Sequence, residues 1–343
     1  MGAPKLSIIL PVYNGESFLN RAVDSVINST LDSWELILVN DGSTDSTEKI
    51  CKEYCLQDKR IHHISQDNRG LSAARNAGFS IALGTYVMFL DADDYVESTY
   101  YEIVLNSAIK TNADFIVTGF TREFLSANGR IHVVECKWPR QYVTSAEGIR
   151  NISEHPYFYN IYIHAWNKVY RRDQLLKYGI TFDETLKYGE DVPYNLKVLS
   201  VSKNILLLEI TGYHYVCRTV NRLTTRWNPL LPEYNRQIFR EISDHERGRW
   251  GLINSTIPAC MYLRGCFLTW EKAIKSGQNY PEVKELIQEI LDFPETQEAL
   301  ETIHTHAPAV EFAVYRNLMN CHYPRFIYFA VCIRQKIKMM LGR

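Results

Sequence analysis

Two hydrophobic periods alternate along the first 120 residues. Short apolar runs stand at Leu6 to Val12, Glu35 to Val39, Ile61 to Ser65, Tyr86 to Leu90 and Asp114 to Gly119. They are too short for helices and read as strands buried on both faces. Between them, apolar residues recur at helical spacing. Phe18, Leu19, Ala22, Val23, Val26 and Ile27 share one face, and a second helix opens at Asp45 and runs to about Cys55. The turn Asn68-Arg69-Gly70 precedes a third helix from Leu71 to Leu83, and Ser98 caps a fourth that reaches about Lys110. Strand–helix alternation of this kind means βαβ units in a mostly parallel sheet with helices on both faces. The expected fold class is α/β.

Beyond residue 120 the texture changes. Arg122 to Trp138 is polar and hairpin-like around Asn128-Gly129, and a helical stretch follows from Ser145. Ile161 to Val216 mixes short strands and helices. After Arg226 the pattern is helical to the end, interrupted by prolines from Pro229 to Pro324. That shift predicts a boundary near residue 225, with 1–225 as the α/β domain and 226–343 as a helical region.

Composition narrows the classes. With 343 residues, 46% hydrophobic and 22% charged, the chain can bury a sizeable core, which excludes disorder, collagen and coiled coil. A net charge of −1 gives no electrostatic footprint for nucleic acid. No apolar run reaches the ~18 to 20 residues of a membrane-spanning helix. Met1 to Lys5 leads into a strand without the charged and apolar regions of an export signal. The eight cysteines show no C-x-x-C spacing and read as free thiols in a reducing cytoplasm, so a cytoplasmic location is expected. The 22 tyrosines supply flat faces with hydroxyls, which suit sugar or base contacts.

In an open α/β sheet, ligands bind at the carboxyl ends of the strands. Here those ends are Pro11-Val12-Tyr13-Asn14, Asn40-Asp41-Gly42-Ser43-Thr44-Asp45 and Asp91-Ala92-Asp93-Asp94. There is no G-x-G-x-x-G and no G-x-x-x-x-G-K-[ST], so backbone amides of a first loop are not expected to cradle phosphate. Carboxylates offer the opposite solution, a divalent cation held by oxygen that carries the diphosphate. Three acids in four residues after Tyr86 to Leu90 exceed what turn chemistry and helix capping require. Asp41 reads equally as a turn residue before Gly42, and Asp45 as an N-cap. Glu190-Asp191 precedes Pro193, which fits a first helical turn. Asp191 therefore reads as an N-cap or as a carboxylate kept ionised for general-base work. His62 and His63 point to opposite faces of a strand, and His304 and His306 diverge on a helix, so neither pair shares a metal. His164 and His214 fit satisfied core or surface positions, and no G-x-S-x-G elbow appears.

The run KLSIILPVYNGESFLNRAVDSVINSTLDSWELILVNDGSTDST, followed by NRGLSAARNAGFSIALGTYVMFLDADD, resembles glycosyltransferase family 2 with the GT-A fold. The resemblance is dense over residues 4–120, looser through WNKVYRRDQL and KYGEDVPYNLKVL to about 200, and absent from the helical tail. It implies inverting transfer of a hexosyl or N-acetylhexosaminyl group from a nucleotide diphosphate donor, usually UDP-linked, with Mg²⁺ or Mn²⁺. It makes 1–120 the nucleotide-sugar half and 121–225 the acceptor half. By the same resemblance Pro11, Tyr13, Asn14, Glu16 and Asp41 contact the nucleotide, and Gly70, Arg75 and Asn76 border the diphosphate and donor sugar. Asp93 is the implied metal ligand, Asp91 lies nearer the ribose or sugar, and Asp191 is the implied base. Trp166, Lys168 and Glu190 are weaker candidates on the acceptor or diphosphate side. Asn40 departs from the pattern, since many members carry a second Asp there.

The implied acceptor is a saccharide or a lipid-linked saccharide. A nucleotidyltransferase would need a Gly/Arg-rich loop where PVYNGES stands. A noncatalytic nucleotide-sugar-binding scaffold could dispense with Asp191, and a carbohydrate-binding module would need neither the Asp-x-Asp nor the base. The tail charge is uneven, −6 over 281–301 and +5 over 323–343. The basic segment reads as a helix packed on the domain, bases outward, or as one lying on the inner face of an anionic plasma membrane. A helical region of this length also suits a homodimer contact.

Overall fold

The computed structural model describes residues 3–125, 131–138, 140–143, 148–149, 158–217, 227–252, 255–305 and 310–340. The turn at Asn128-Gly129, the helix start at Ser145, His306 and the boundary near 225 lie outside the described residues. The chain divides into two compact units. The first is Met1–Glu123, His132–Ser145 and Asn160–Cys217, and the second is Phe124–Ile131, Ala146–Tyr159 and Arg218–Arg343.

The alternation appears as β1 (Leu6–Val12), α1 (Leu19–Ile27), β2 (Trp34–Asp41), α2 (Thr47–Gln57), β3 (Ile61–Gln66), α3 (Leu71–Ile81) and β4 (Tyr86–Phe89). Then come β5 (Tyr95–Val96), α4 (Tyr100–Thr111), β6 (Phe115–Thr118), β7 (Phe120–Leu125), β8 (Ile131–Cys136) and β9 (Gln141–Val143). The series closes with β10 (Lys168–Arg171), α5 (Arg172–Lys177), α6 (Asp191–Val201), β11 (Ile205–Leu208) and β12 (Tyr213–Cys217). The main sheet runs β3-β2-β1-β4-β10-β6-β11-β9, and a smaller one runs β5-β12-β7-β8.

Strands β3, β2, β1 and β4 are parallel, and β10 enters antiparallel between β4 and β6. The sheet is therefore mixed. Chain order reverses between β1 and β4, the topological switch point that opens a crevice at the strand ends. Every residue of β1, β2 and β4 is buried, as unbroken apolar runs require. Like Asn40 and Asp41 at the end of β2, Glu35 at its start is a buried polar residue. Its Oε1 accepts from Ser7 Oγ at 2.5 Å, Leu83 N at 2.6 Å and Gly84 N at 3.1 Å, which satisfies a buried carboxylate far from the switch point. His62 faces Glu35 and His63 faces Glu48, on opposite sides of β3.

The second unit contains α7 (Leu231–His245), α8 (Ile257–Lys275), α9 (Tyr280–Asp292), α10 (Pro294–Thr305), α11 (Val310–Asn320) and α12 (Pro324–Met340). α8 is buried on most of its circumference, through Cys260, Leu263, Cys266, Phe267, Trp270 and Ala273, and forms the centre of the bundle core. The acids of 281–301 have local uses. Glu282 closes a capping box with Asn279, and Glu295 holds Arg236 and Arg240 of α7. Arg334 of α12 pairs with Glu271 of α8, which lies outside that acidic stretch. All eight cysteines are free.

Candidate active site

The first two strand-end loops are tied to each other. Asn14, at a left-handed φ of 50°, accepts from Thr44 N at 2.8 Å and donates its own N–H to Ser43 Oγ at 2.9 Å. Glu16 N donates to Asp45 at 3.1 Å, while Glu16 Oε2 accepts from Ser46 N at 3.0 Å. These contacts fix the rim from which the Tyr13 ring projects, half exposed, beyond Pro11 in β1. Asn40 has a local reason to be an amide. It donates to Glu48 Oε2 at 2.7 Å, a contact that an aspartate would turn into repulsion. Burial pushes Glu48 up, but Lys52, Asn40, His63 and Ser65 outweigh it and hold its pKa at about 2.

Asp41 grips the third loop. Its buried carboxylate accepts from Gln66 Nε2 at 2.7 Å, Arg69 N at 2.9 Å and Gly70 N at 2.8 Å. The adjacent turn needs glycine: Gly42 has φ +71°, and a Cβ there would meet Asn68 N at 2.6 Å.

Four predicted residues converge on one point. Arg75, 1% exposed, donates from Nη1 to Glu190 Oε1 and Asp191 Oδ1, both at 2.9 Å, and from Nη2 to Asp91 Oδ1 at 3.2 Å. The guanidinium lies near the rings of Phe89 and Phe182. Burial pushes Asp191 up to about 6 against the pull of Arg75, and Glu190 adds to the rise. Burial raises Asp91 to about 6 in the same way, with Asp93 and Asp191 as like-charged neighbours. Arg75 itself is penalised by burial, but the three carboxylates more than compensate and keep it charged. Glu190 occupies the N-cap position of α6 without a side-chain cap bond. Glu190 and Asp191 both turn to Arg75, so the capping alternative for Asp191 is not the arrangement seen.

The remaining candidates have other partners. Asn76 clamps the backbone of Phe182 in both directions, donating to its carbonyl and accepting from its N–H at 2.9 Å each. Lys168 is fully buried and donates to the carbonyls of Asn160, Ile163 and His164 and to Asn167 Oδ1 over 2.5–2.9 Å. Burial pushes its pKa down to about 7, partly opposed by Asp191. Trp166 stacks between His164, Tyr213 and Tyr215 at centroid distances of 4.6, 4.5 and 5.1 Å. Asp93 accepts from Arg21 Nη2 through its main-chain carbonyl at 2.7 Å. Asp94 is buried and accepts from Tyr213 Oη at 2.8 Å and Val216 N at 2.9 Å. Tyr213 and Asn195 are structural supports that no motif announces; Asn195 binds Tyr170 Oη and the carbonyls of Tyr162 and His164.

Residues 7–173 match the model of glycosyl transferase family 2. Over 300 residues the chain is 29% identical to an uncharacterized glycosyltransferase, EpsJ, of Bacillus subtilis, spanning 87% of this chain and 86% of EpsJ. Residues 7–173 form a glycosyltransferase family 2 domain. This glycosyltransferase is also 35% identical to GlyA of Streptococcus pneumoniae over 65% of its own length and 32% of GlyA. It is 29% identical to the minor teichoic acid biosynthesis protein GgaB of Bacillus subtilis over 94% of its length and 36% of GgaB. The chain thus spans about a third of these two larger relatives. Its fold is that of S. aureus TarS 1–349, solved with UDP-GlcNAc (TM-score 0.67, 20% identity, 99% of this chain and 92% of that one). The mannosyltransferase PcManGT of Pyrobaculum calidifontis, solved with GDP-Man and Mn²⁺, is a more distant likeness (TM-score 0.52, 13% identity, 97% and 87% coverage).

Proposed function

We propose that this glycosyltransferase moves a sugar from a UDP-linked donor to a hydroxyl of a saccharide or lipid-linked saccharide, with inversion, and that Asp191 is the general base. The observation that carries this reading is the grip of Arg75 on Asp191 and Asp91 together, beside Asp93 at the switch point. Burial gives Asp191 a pKa of about 6, so it is ionised at neutral pH yet basic enough to take a proton. The donor class is supported by TarS, bound to UDP-GlcNAc, and the acceptor class by GgaB of teichoic acid biosynthesis.

The Tyr13 ring offers a stacking face to the base, with Pro11, Asn14 and Glu16 holding its loop. Asp41 spends three of about four acceptor sites on residues 66–70 and keeps capacity for a base N–H. Among the described residues no group of three or more His, Cys, Asp or Glu forms a metal cage. A Mg²⁺ or Mn²⁺ ion bound through one carboxylate and donor phosphates needs none, and the hard oxygen of Asp93 fits such an ion. Held there, the ion would supply charge neutralisation for the departing diphosphate. The acceptor oxygen gives its proton to Asp191 and forms a bond to the anomeric carbon as the bond to the diphosphate oxygen breaks. The electron pair leaves with the nucleotide diphosphate. We assign Lys168, Trp166 and Asn76 to the walls that fix this arrangement, because their polar atoms and ring faces are already engaged.

Calorimetric titration with UDP, GDP and dTDP, with and without Mn²⁺, tests the reading. UDP is expected to bind in a metal-dependent way, to lose that dependence in Asp93→Ala, and to bind Asp191→Asn as tightly as wild type. Asp191→Asn should lower turnover about 10³-fold. A folded protein that binds none of the three nucleotides would refute the donor assignment.

A further inference from the structure

The last described helix is apolar on two faces. One face is spent in the bundle: Ile327 and Val331 are wholly buried, Gln335 donates to the Glu271 carbonyl at 2.9 Å, and Arg334 pairs with the Glu271 carboxylate. The other face holds Phe326, Phe329 and Ile333, spaced i, i+3 and i+7, with Tyr323 just before the helix; these four are 52–64% exposed. At about 3.6 residues per turn they form a single stripe. Exposed Arg325 and Lys336 lie along one border of that stripe. Residues 323–343 contain five bases and no acid.

We propose that this outer face of α12 docks in the plane of an anionic lipid bilayer, an interaction outside the sugar-transfer reading and independent of it. Aromatic and branched side chains would enter the headgroup–acyl boundary, and the bordering bases would meet lipid phosphates. Among the described residues no helix is long and apolar enough to cross a membrane, which leaves lying on the surface as the mode of contact. Charge selects the occupant. A two-fold contact through this stripe would set Arg325 and Lys336 of one copy against the same bases of the other, with no acid in the segment to neutralise them. A surface rich in anionic headgroups satisfies both the stripe and its border.

Co-sedimentation of the full chain with phosphatidylcholine vesicles, with and without phosphatidylglycerol, tests this. Wild type should pellet with the anionic vesicles and stay in solution with the neutral ones. Both F326S/F329S/I333S and R325E/K336E should bind at least about tenfold more weakly, while keeping the wild-type melting temperature. Absence of binding to anionic vesicles, or equal binding to both kinds, overturns the proposal. It also falls if light scattering shows an oligomer that F326S/F329S/I333S converts to monomer, since the stripe would then be a protein interface.

Discussion

Arg75 serves three carboxylates with one guanidinium, and the balance between that charge and burial sets the ionisation of Asp191. Because the base must be ionised, kcat/KM of the wild type should fall as pH drops through about 6. Arg75 pulls the Asp191 pKa down, so weakening the grip lets burial push it higher. Lysine keeps a positive charge but cannot fork between α6 and the end of β4. In Arg75→Lys, kcat should drop about 10²-fold at pH 7, KM for the donor should move less, and the acid limb should shift upward so that activity recovers toward pH 9. A uniform loss with an unmoved limb would make Arg75 a packing residue only. The acids themselves were legible as Asp-x-Asp and Glu-Asp. Their meeting was not, because Arg75 reaches Asp91 across 16 residues and Asp191 across 116, and nothing local encodes that closure.

At the scale of elements, Asn76 on α3 fastens the segment that delivers Glu190 and Asp191. Besides clamping Phe182, its amide donates to Glu184 Oε1 at 3.1 Å, and the Phe182 ring lies flat on Tyr194 of α6 at 3.8 Å. Asn76→Ala strips Phe182 of both backbone partners at a part-buried site, a cost of about 1–3 kcal/mol. Amide exchange over residues 180–190 should accelerate while β1, β2 and β4 keep their protection, and kcat should fall with the nucleotide Kd preserved. Exchange that rises throughout the sheet would show a global defect instead. The buried parallel strands were readable because each is an apolar run flanked by an amphipathic helix. β7 and β8 fall largely within the stretch read as hairpin-like, but β5 and β9 to β12 were not located one by one, being only two to five residues long. Their pairing, including β10 inserted antiparallel between β4 and β6, depends on contacts distant in sequence.

Over the whole molecule, the family motifs thin out near residue 200 although the likeness to GgaB runs over 94% of the chain, and the helical unit is held by an apolar core around α8 with no motif to mark it. Function in the first unit is bought with stability. Asp191 lies part-buried near Arg75, Glu190, Asp91 and Lys168, and its folded pKa of about 6 lies above the unfolded carboxylate value of 3.8. A group raised in this way supports folding fully below pH 4 and loses that support as pH rises through 6. Asparagine does not titrate and can still accept from Arg75. The difference in Tm between Asp191→Asn and wild type should therefore be near zero at pH 4 and favour the variant at pH 7. A gain on the order of 1 kcal/mol corresponds to about 2 °C for a chain of this size. Thermal melts of the two proteins across that range decide the matter. A variant that is dead and whose stability advantage grows from pH 4 to pH 6 and then levels off has lost a charge kept for catalysis, whereas one that is less stable at every pH has lost a structural ion pair.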